Sequence, residues 1–296
     1  MATGDAAVMN VEGGYTYRRH ALALRVMHWI NVVALTILLM SGLGIFNAHP
    51  ALYWGLSSYQ GKPPVLAMTA VATPDGDRRG VTRILGHTFD TDGLFGVSKQ
   101  PNGQRAIRGF PWWMTIPDLQ WLSMSRAWHF FFAWVLVLNG LAYVGWAIAS
   151  RHLARDLAPT RTDWAGIGRS IVDHLRLRHP EGEAAKRYNV LQKLAYLTVI
   201  FVLLPLTILM GLAMSPRIDT VFAGWVDLVG GRQSARTIHF VCAWLIVAFV
   251  AIHVFEVIVT GLWNNLNSMI TGRFRVRTTP AAPRAAVAEG AAHDAP

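Results

Sequence analysis

Four stretches of this chain are apolar over lengths that leave little choice of structure: 26–46, 127–149, 194–214 and 237–263. Crossing the hydrocarbon core of a bilayer takes about 20 residues of α-helix. Lipid offers no partner to a free backbone N–H or C=O, so such runs must span as helices. The second run carries no charged side chain, and the fourth carries only Glu256 near its end. The first follows Arg18 and Arg19, but it is too long for a signal sequence and has no convincing small-residue cleavage site, so it reads as a retained span. The expected fold is all-α, a four-helix transmembrane bundle in one membrane domain of residues 1–275. An aperiodic Ala, Pro and Gly tail, 276–296, is expected to be disordered.

Charge supports that reading. The net charge of +10 would suggest a nucleic-acid partner in a soluble protein, but here Lys and Arg flank the apolar runs, and no nucleic acid is implied. Residues 150–193 hold nine Lys or Arg and the link 215–236 holds three. The positive-inside bias puts both termini and the middle connection in the cytoplasm, in a bacterial inner membrane. The loop 47–126 holds eight Lys or Arg, but loops of that length cross largely regardless of charge, so it is assigned to the outer, periplasmic side. Its aromatic PWWMTIP, 111–117, suits docking of a partner or packing at the membrane interface. On the inner side, 162–178 places Trp164, Ile167, Ile171, Val172 and Leu175 at helical spacing, an amphipathic helix lying on lipid. The single cysteine, Cys242, excludes a disulfide framework and a Cys metal motif.

Of eleven histidines, four lie in the spans: His28, His129, His239 and His253. Ionisable residues within a membrane are costly and mark function. His239 and His253 are fourteen residues apart on the fourth span, about 21 Å along the axis and within roughly 40° of one face. His129 shares the outer depth with His239, and His28 shares the inner depth with His253. Two pairs at two depths suit bis-histidine ligation of two stacked b-type haems, the iron of each taking one imidazole from either side. Zinc would want four convergent ligands, a cation transporter would want more intramembrane carboxylates, and histidines bonding carbonyls across helices would not need matched depths.

Arg25, Arg126 and Arg236 each precede one of these histidines by three residues, one turn towards water. In that register they suit haem propionates. His253 has no such arginine. Gly42, fourteen residues from His28, and Gly140 in the second span would leave room for a macrocycle or serve plain helix packing.

The stretches RVMHW, RAWHFF and RTIHF, with a second histidine fourteen residues after the last, resemble the bacterial cytochrome b561-like membrane subunits. This superfamily includes the cytochrome b partners of nickel–iron hydrogenases, formate dehydrogenases and thiosulfate reductases, and the likeness covers roughly residues 18–275. The resemblance implies the same ligand pairs, His28 with His253 and His129 with His239. It also implies a quinone site by the inner haem, where the related stretch reads Tyr188-Asn189-Val190-Leu191-Gln192-Lys193, with Leu191 in place of a glycine. Asn189 and Gln192 are then candidate quinone contacts or an ordinary polar helix start, and Glu256 a proton carrier or an interfacial acid. The enlarged outer loop departs from the hydrogenase and formate dehydrogenase types and looks like that of thiosulfate reductase cytochromes b or of anchors for periplasmic molybdopterin oxidoreductases.

The expected function is therefore an electron-transfer subunit, not a self-contained enzyme: a dihaem cytochrome b linking the quinone pool to a periplasmic, molybdopterin-type oxidoreductase. The alternatives are a stand-alone cytochrome acting on a small species such as superoxide, and a haem-free membrane anchor or cation transporter.

Overall fold

The computed structural model describes residues 8–10, 14–58, 61–118, 120–176, 188–222 and 224–277. A hairpin of β1 (Val8–Asn10) and β2 (Gly14–Arg18) leads into α1 (Leu22–Phe46). There follows an insert in which β3 (Ala51–Leu52), β4 (Leu66–Ala72), β5 (Arg78–Ile84) and β6 (His87–Asp90) form one antiparallel sheet in that order. A second hairpin joins β7 (Gly96–Lys99) to β8 (Arg105–Arg108). Then come α2 (Leu122–Ala149), the short α3 (Arg161–Ala165) and α4 (Ile167–Leu175), and a third span built from α5 (Val190–Thr198), a π-helical turn Val199–Leu203 and α6 (Leu204–Ala213). The short α7 (Pro216–Val221) precedes α8 (Arg232–Val259), and α9 (Leu262–Thr271) leads into β9 (Arg273–Arg277), which pairs antiparallel with β2.

Among the described residues four helical segments are long and apolar enough to cross a membrane, and the chain is a multi-pass membrane protein. Phe131, Trp134, Leu138 and Leu141 on α2 are 62–66% exposed, an apolar stripe of the kind a spanning helix turns to lipid. Each span begins four or five residues ahead of its apolar run, because Arg25, Arg126, Lys193 and Arg236 lie inside the helices. Long basic side chains reach polar partners or water at the helix ends while the stem packs, so the helix continues where the hydropathy stops. The fourth span ends at Val259, not 263: Gly261, at φ +110°, turns the chain, and Trp263 belongs to α9. The π turn has a local cause in Pro205, which lacks an N–H and whose ring crowds the preceding turn. The closest helix packing is within two pairs, α1 against α2 and α6 against α8.

The long loop is a small β unit seated on one end of the bundle. Phe110 is its anchor, packed with Leu52 and Met68 from the insert and with Leu43 and Phe46 from α1. Asn47, at the end of α1, exchanges hydrogen bonds with Phe110, its Nδ2 donating to the carbonyl at 3.1 Å and its Oδ1 accepting from the N–H at 2.7 Å. The insert also completes the start of α8, whose first N–H groups have no intrahelical partner. The N–H groups of Gln233 and Ser234 donate to the Gly55 carbonyl at 3.0 and 3.3 Å, and the Ser234 hydroxyl accepts from the Gly55 N–H at 2.8 Å. Backbone meets backbone so closely here that a Cβ on Gly231, at φ +102°, would lie 2.7 Å from that carbonyl.

The opposite end is closed by the β1-β2-β9 sheet and by α3 and α4. The N-terminal residues are thus partly strand, and β9 runs to Arg277, past the expected domain boundary at 275; residues 278–296, the rest of the expected tail, lie outside the described residues. The surface helix splits at Gly166 into α3 and α4. It is latched to the third span: the Ser170 hydroxyl donates to Asn189 Oδ1, and Lys193 Nζ meets Asp163 Oδ2 at 2.8 Å. Asp163 also closes a capping box with Thr160. The Lys193 bond, then the Thr160 N–H, hold the Asp163 carboxyl down at about 2. A carboxyl depressed in the folded state adds stability that is complete above its unfolded value near pH 4. That stability is lost as pH falls towards 2. Asp163→Asn should lower the thermal midpoint by about 5 °C at neutral pH and flatten this acid limb, as thermal scans across pH will show.

Candidate cofactor site

The structure brings together the histidines that depth alone had paired. The His28 and His253 ring centres are 6.4 Å apart with planes at 68°, and those of His129 and His239 are 6.2 Å apart at 64°. Two imidazoles on opposite sides of one metal, each bonded at about 2 Å, place their ring centres about 6 Å apart. Both pairs have that spacing. Among the described residues no three His, Cys, Asp or Glu converge on a metal-sized point, as a zinc site would require.

At the insert end the rings are oriented by backbone. His129 Nδ1 faces the Leu38 carbonyl and the Ser41 hydroxyl, each at 3.1 Å, across the α1–α2 contact. His239 Nδ1 faces the Thr207 carbonyl at 2.8 Å, across the α6–α8 contact. A carbonyl can only accept, so Nδ1 carries the proton in each ring and the Nε2 lone pair is left for a metal. Gly42 and Gly211 then stand four residues beyond the two carbonyls, where a Cβ would lie 3.3 and 3.5 Å from the rings. Gly42 thus makes room for His129 itself, whereas a Cβ on Gly140 would meet open space.

At the other end aromatic and amide neighbours take over. His253 stacks on Phe249 with ring centres 6.0 Å apart and lies 6.4 Å from the Tyr196 ring. Asn139, buried on α2, donates to the Met27 carbonyl and to Asn31 Oδ1, both at 2.8 Å, and so fixes the turn of α1 that carries His28. The arginines are only partly as expected. Arg25 donates through Nη1 to the Ile270 carbonyl while Trp29 Nε1 donates to Met269, so the two satisfy carbonyls at the end of α9. Its buried Nε has no protein partner among the described residues, which fits an anionic group brought by a cofactor. Arg236 donates to the His49 carbonyl with its guanidinium over Phe46, and Arg126 is exposed beside the Phe130 ring.

The profile of the prokaryotic cytochrome b561 family matches residues 19–272. The chain belongs to that family. A b-type haem is thus its cofactor, and the histidine pairs fit it: both have ring centres at one-metal spacing, and in His129 and His239 the Nδ1 partners leave Nε2 for a metal. The cytochrome is 27% identical over 238 residues, 80% of its own length and 89% of the relative, to a protein of Azospira oryzae named as a putative protein-methionine-sulfoxide reductase subunit, YedZ1. It is 26% identical over 157 residues, 49% of its length and 64% of the relative, to a probable Ni/Fe-hydrogenase B-type cytochrome subunit of Cupriavidus necator. No solved structure matches the chain.

In this cytochrome the stretch 188–193 is first of all a helix start. Asn189 Oδ1 accepts from the Leu191 N–H at 3.1 Å, and Gln192 Oε1 accepts from the Asn189 N–H at 3.2 Å, a capping box that occupies both side chains. Glu256 instead meets His174 Nε2 of α4 at 3.4 Å. Burial, then Tyr196, push the Tyr188 hydroxyl up to about 12. Sequence reasoning missed His174, Thr207 and Gly211. Gly211, the one glycine of the third span, was the signal for its own place; the Thr207 carbonyl, a group every residue carries, left none. Gly211→Leu should crowd the His239 ring and Gly42→Leu the His129 ring. Each should lower the haem content of purified protein and shift the remaining spectrum from low-spin towards high-spin, while far-ultraviolet circular dichroism stays unchanged.

Proposed function

We propose that this cytochrome carries electrons between a quinone at the end of the bundle bearing its termini and an oxidoreductase partner at the end bearing the β insert. It does so through two b-type haems, His28 with His253 holding one and His129 with His239 the other. What carries this reading is the pair of imidazole couples, both at one-metal spacing, set fourteen residues apart along α8. Bound haem supplies one-electron iron chemistry. The protein contributes the ligands, the Nδ1 braces that keep Nε2 available in His129 and His239, and a bundle of four spans that sets the two pairs at their separate depths. Arg25, Arg126 and Arg236 stand at the water-facing turn of three ligands, where their remaining N–H donors suit propionates.

The basic connections favour a bacterial inner membrane with both termini in the cytoplasm and the β insert in the periplasm. The relative from Azospira oryzae, aligned over 89% of its length, is named as a reductase subunit. We extend that arrangement to this chain, with a molybdopterin-type partner favoured by the enlarged insert. The quinone site lies beside the inner pair: Glu256 is its protonatable member, and Asn189 and Gln192, held in their cap, shape its floor.

A haemochrome assay on purified protein should find two haems per chain. His253→Ala should remove one of them together with reduction by a quinol, and His129→Ala should remove the other while the quinol still reduces what remains. A wild-type ratio of one haem per chain would overturn the two-haem reading.

A further inference from the structure

The helix α4 is amphipathic and would rest on lipid without further purpose, yet its polar side is spent on the bundle. Ser170 holds Asn189 at the start of α5, and one turn further along α4 His174 holds Glu256 of α8. Glu256 lies one turn beyond His253, towards the end that bears the termini, and its side chain is only 13% exposed; His174 is 32% exposed. Tyr196, from α5, has its ring against His253, and Tyr188 packs edge-on against Tyr196 with ring centres 5.7 Å apart. So α4 crosses from the start of α5 to the end of α8, and its polar side meets both beside the inner histidine pair.

A carboxylate so nearly enclosed at the end of a span needs a partner, and a structural partner would be a permanent cation. This chain uses one nearby, Lys193 for Asp163. For Glu256 it uses histidine, the side chain whose ordinary titration falls near neutral pH and which therefore can both take and release a proton. We propose that Glu256 and His174 are the proton-exchanging pair of the quinone site, a reading that rests on the quinone end of the proposed function. Oxidising one quinol breaks two O–H bonds and releases two electrons and two protons. The electrons leave singly to b-type haem as the one-electron acceptor. Each proton passes to the Glu256 carboxylate, across 3.4 Å to His174, and out to water at the exposed side of α4. Quinone reduction uses the same pair in reverse.

Other charged or titratable groups lie on the elements around this pair. On α4 there are Asp173 and its partner Arg169, 4.0 Å away. Before and on α5 there are Tyr188, Tyr196 and the paired Lys193. Arg19 and Asp156 act on Tyr188 electrostatically, and Asp156 is bound to His152 at 2.7 Å. His152 is thus the control for a second histidine–carboxylate pair.

The test uses the full-length, haem-loaded protein, with decylubiquinol as reductant and a quinolone N-oxide quinone analogue as binding probe. Haem reduction is followed by stopped flow from about pH 5 to 9. Glu256→Gln and His174→Asn should each slow reduction by about tenfold to a hundredfold and abolish its pH dependence. Analogue binding and the dithionite-reduced spectrum should stay as in the wild type. Glu256→Asp should recover part of the rate with its pH dependence, and His152→Asn should keep both. If the wild-type protein is neither reduced by decylubiquinol nor able to bind the analogue, the quinone reading itself falls and takes the pair with it. If the wild type is reduced but Glu256→Gln and His174→Asn keep its rate and pH profile, or His152→Asn alone removes that profile, the quinone reading stands and this assignment is wrong.

Discussion

The hydrogen bonds from His239 Nδ1 to the Thr207 carbonyl and from His129 Nδ1 to the Leu38 carbonyl govern how this bundle is built. Each joins the two members of one helix pair, and each turns the other face of the ring towards the opposite pair. An imidazole in lipid is tolerable when one nitrogen is satisfied by protein and the other by a metal. Gly42 and Gly211 follow from the same requirement, since a Cβ would lie tightly against the His129 ring at 3.3 Å and already touch the His239 ring at 3.5 Å, leaving no room there for a larger side chain. The helices pack most closely within the pairs α1–α2 and α6–α8, and the histidines reach from one pair to the other.

Both ends of the bundle hold that geometry in place. At one end the β insert grips the last turn of α1 through Asn47 and Phe110, and supplies the Gly55 carbonyl to the first N–H groups of α8. It thereby sets the relative height of α1 and α8, the helices that carry His28, His239 and His253. At the other end α9 gives its last carbonyls to Arg25 and Trp29, while α3 and α4 are tied to the third span through Asp163, Ser170 and Lys193. A bundle whose outer surface is mostly lipid-facing has little hydrophobic effect with which to fix helix register. These polar end contacts supply it.

Much of this was legible in the sequence, and the reason is periodicity. The four spans follow from apolar length, and the pairing of His28 with His253 and of His129 with His239 follows from fourteen residues at a fixed rise and twist. What stayed hidden depends on contacts between distant segments. The strands of the insert are short, and β6 is exposed along its whole length, so no alternation marks it. The β2–β9 pairing joins residues near opposite ends of the chain. Arg25 and Arg236 sit in the expected register but turn some of their donors to the carbonyls of Ile270 and His49, which no spacing reveals. His174 lay in a segment whose pattern explained itself as a lipid-facing helix, and its contact with Glu256 exists only once α4 folds back across the bundle.

The claim on which the rest depends is that each histidine pair binds one haem through two crossed imidazoles. The ring planes of the two pairs meet at 68° and 64°, and ferric haem between strongly crossed imidazoles gives a low-spin spectrum of large anisotropy. Low-temperature electron paramagnetic resonance of the fully oxidised protein tests this directly. Two low-spin species, both strongly anisotropic, with no substantial high-spin signal, are the predicted result. A single low-spin species, or a high-spin majority signalling a site with only one imidazole, would contradict it.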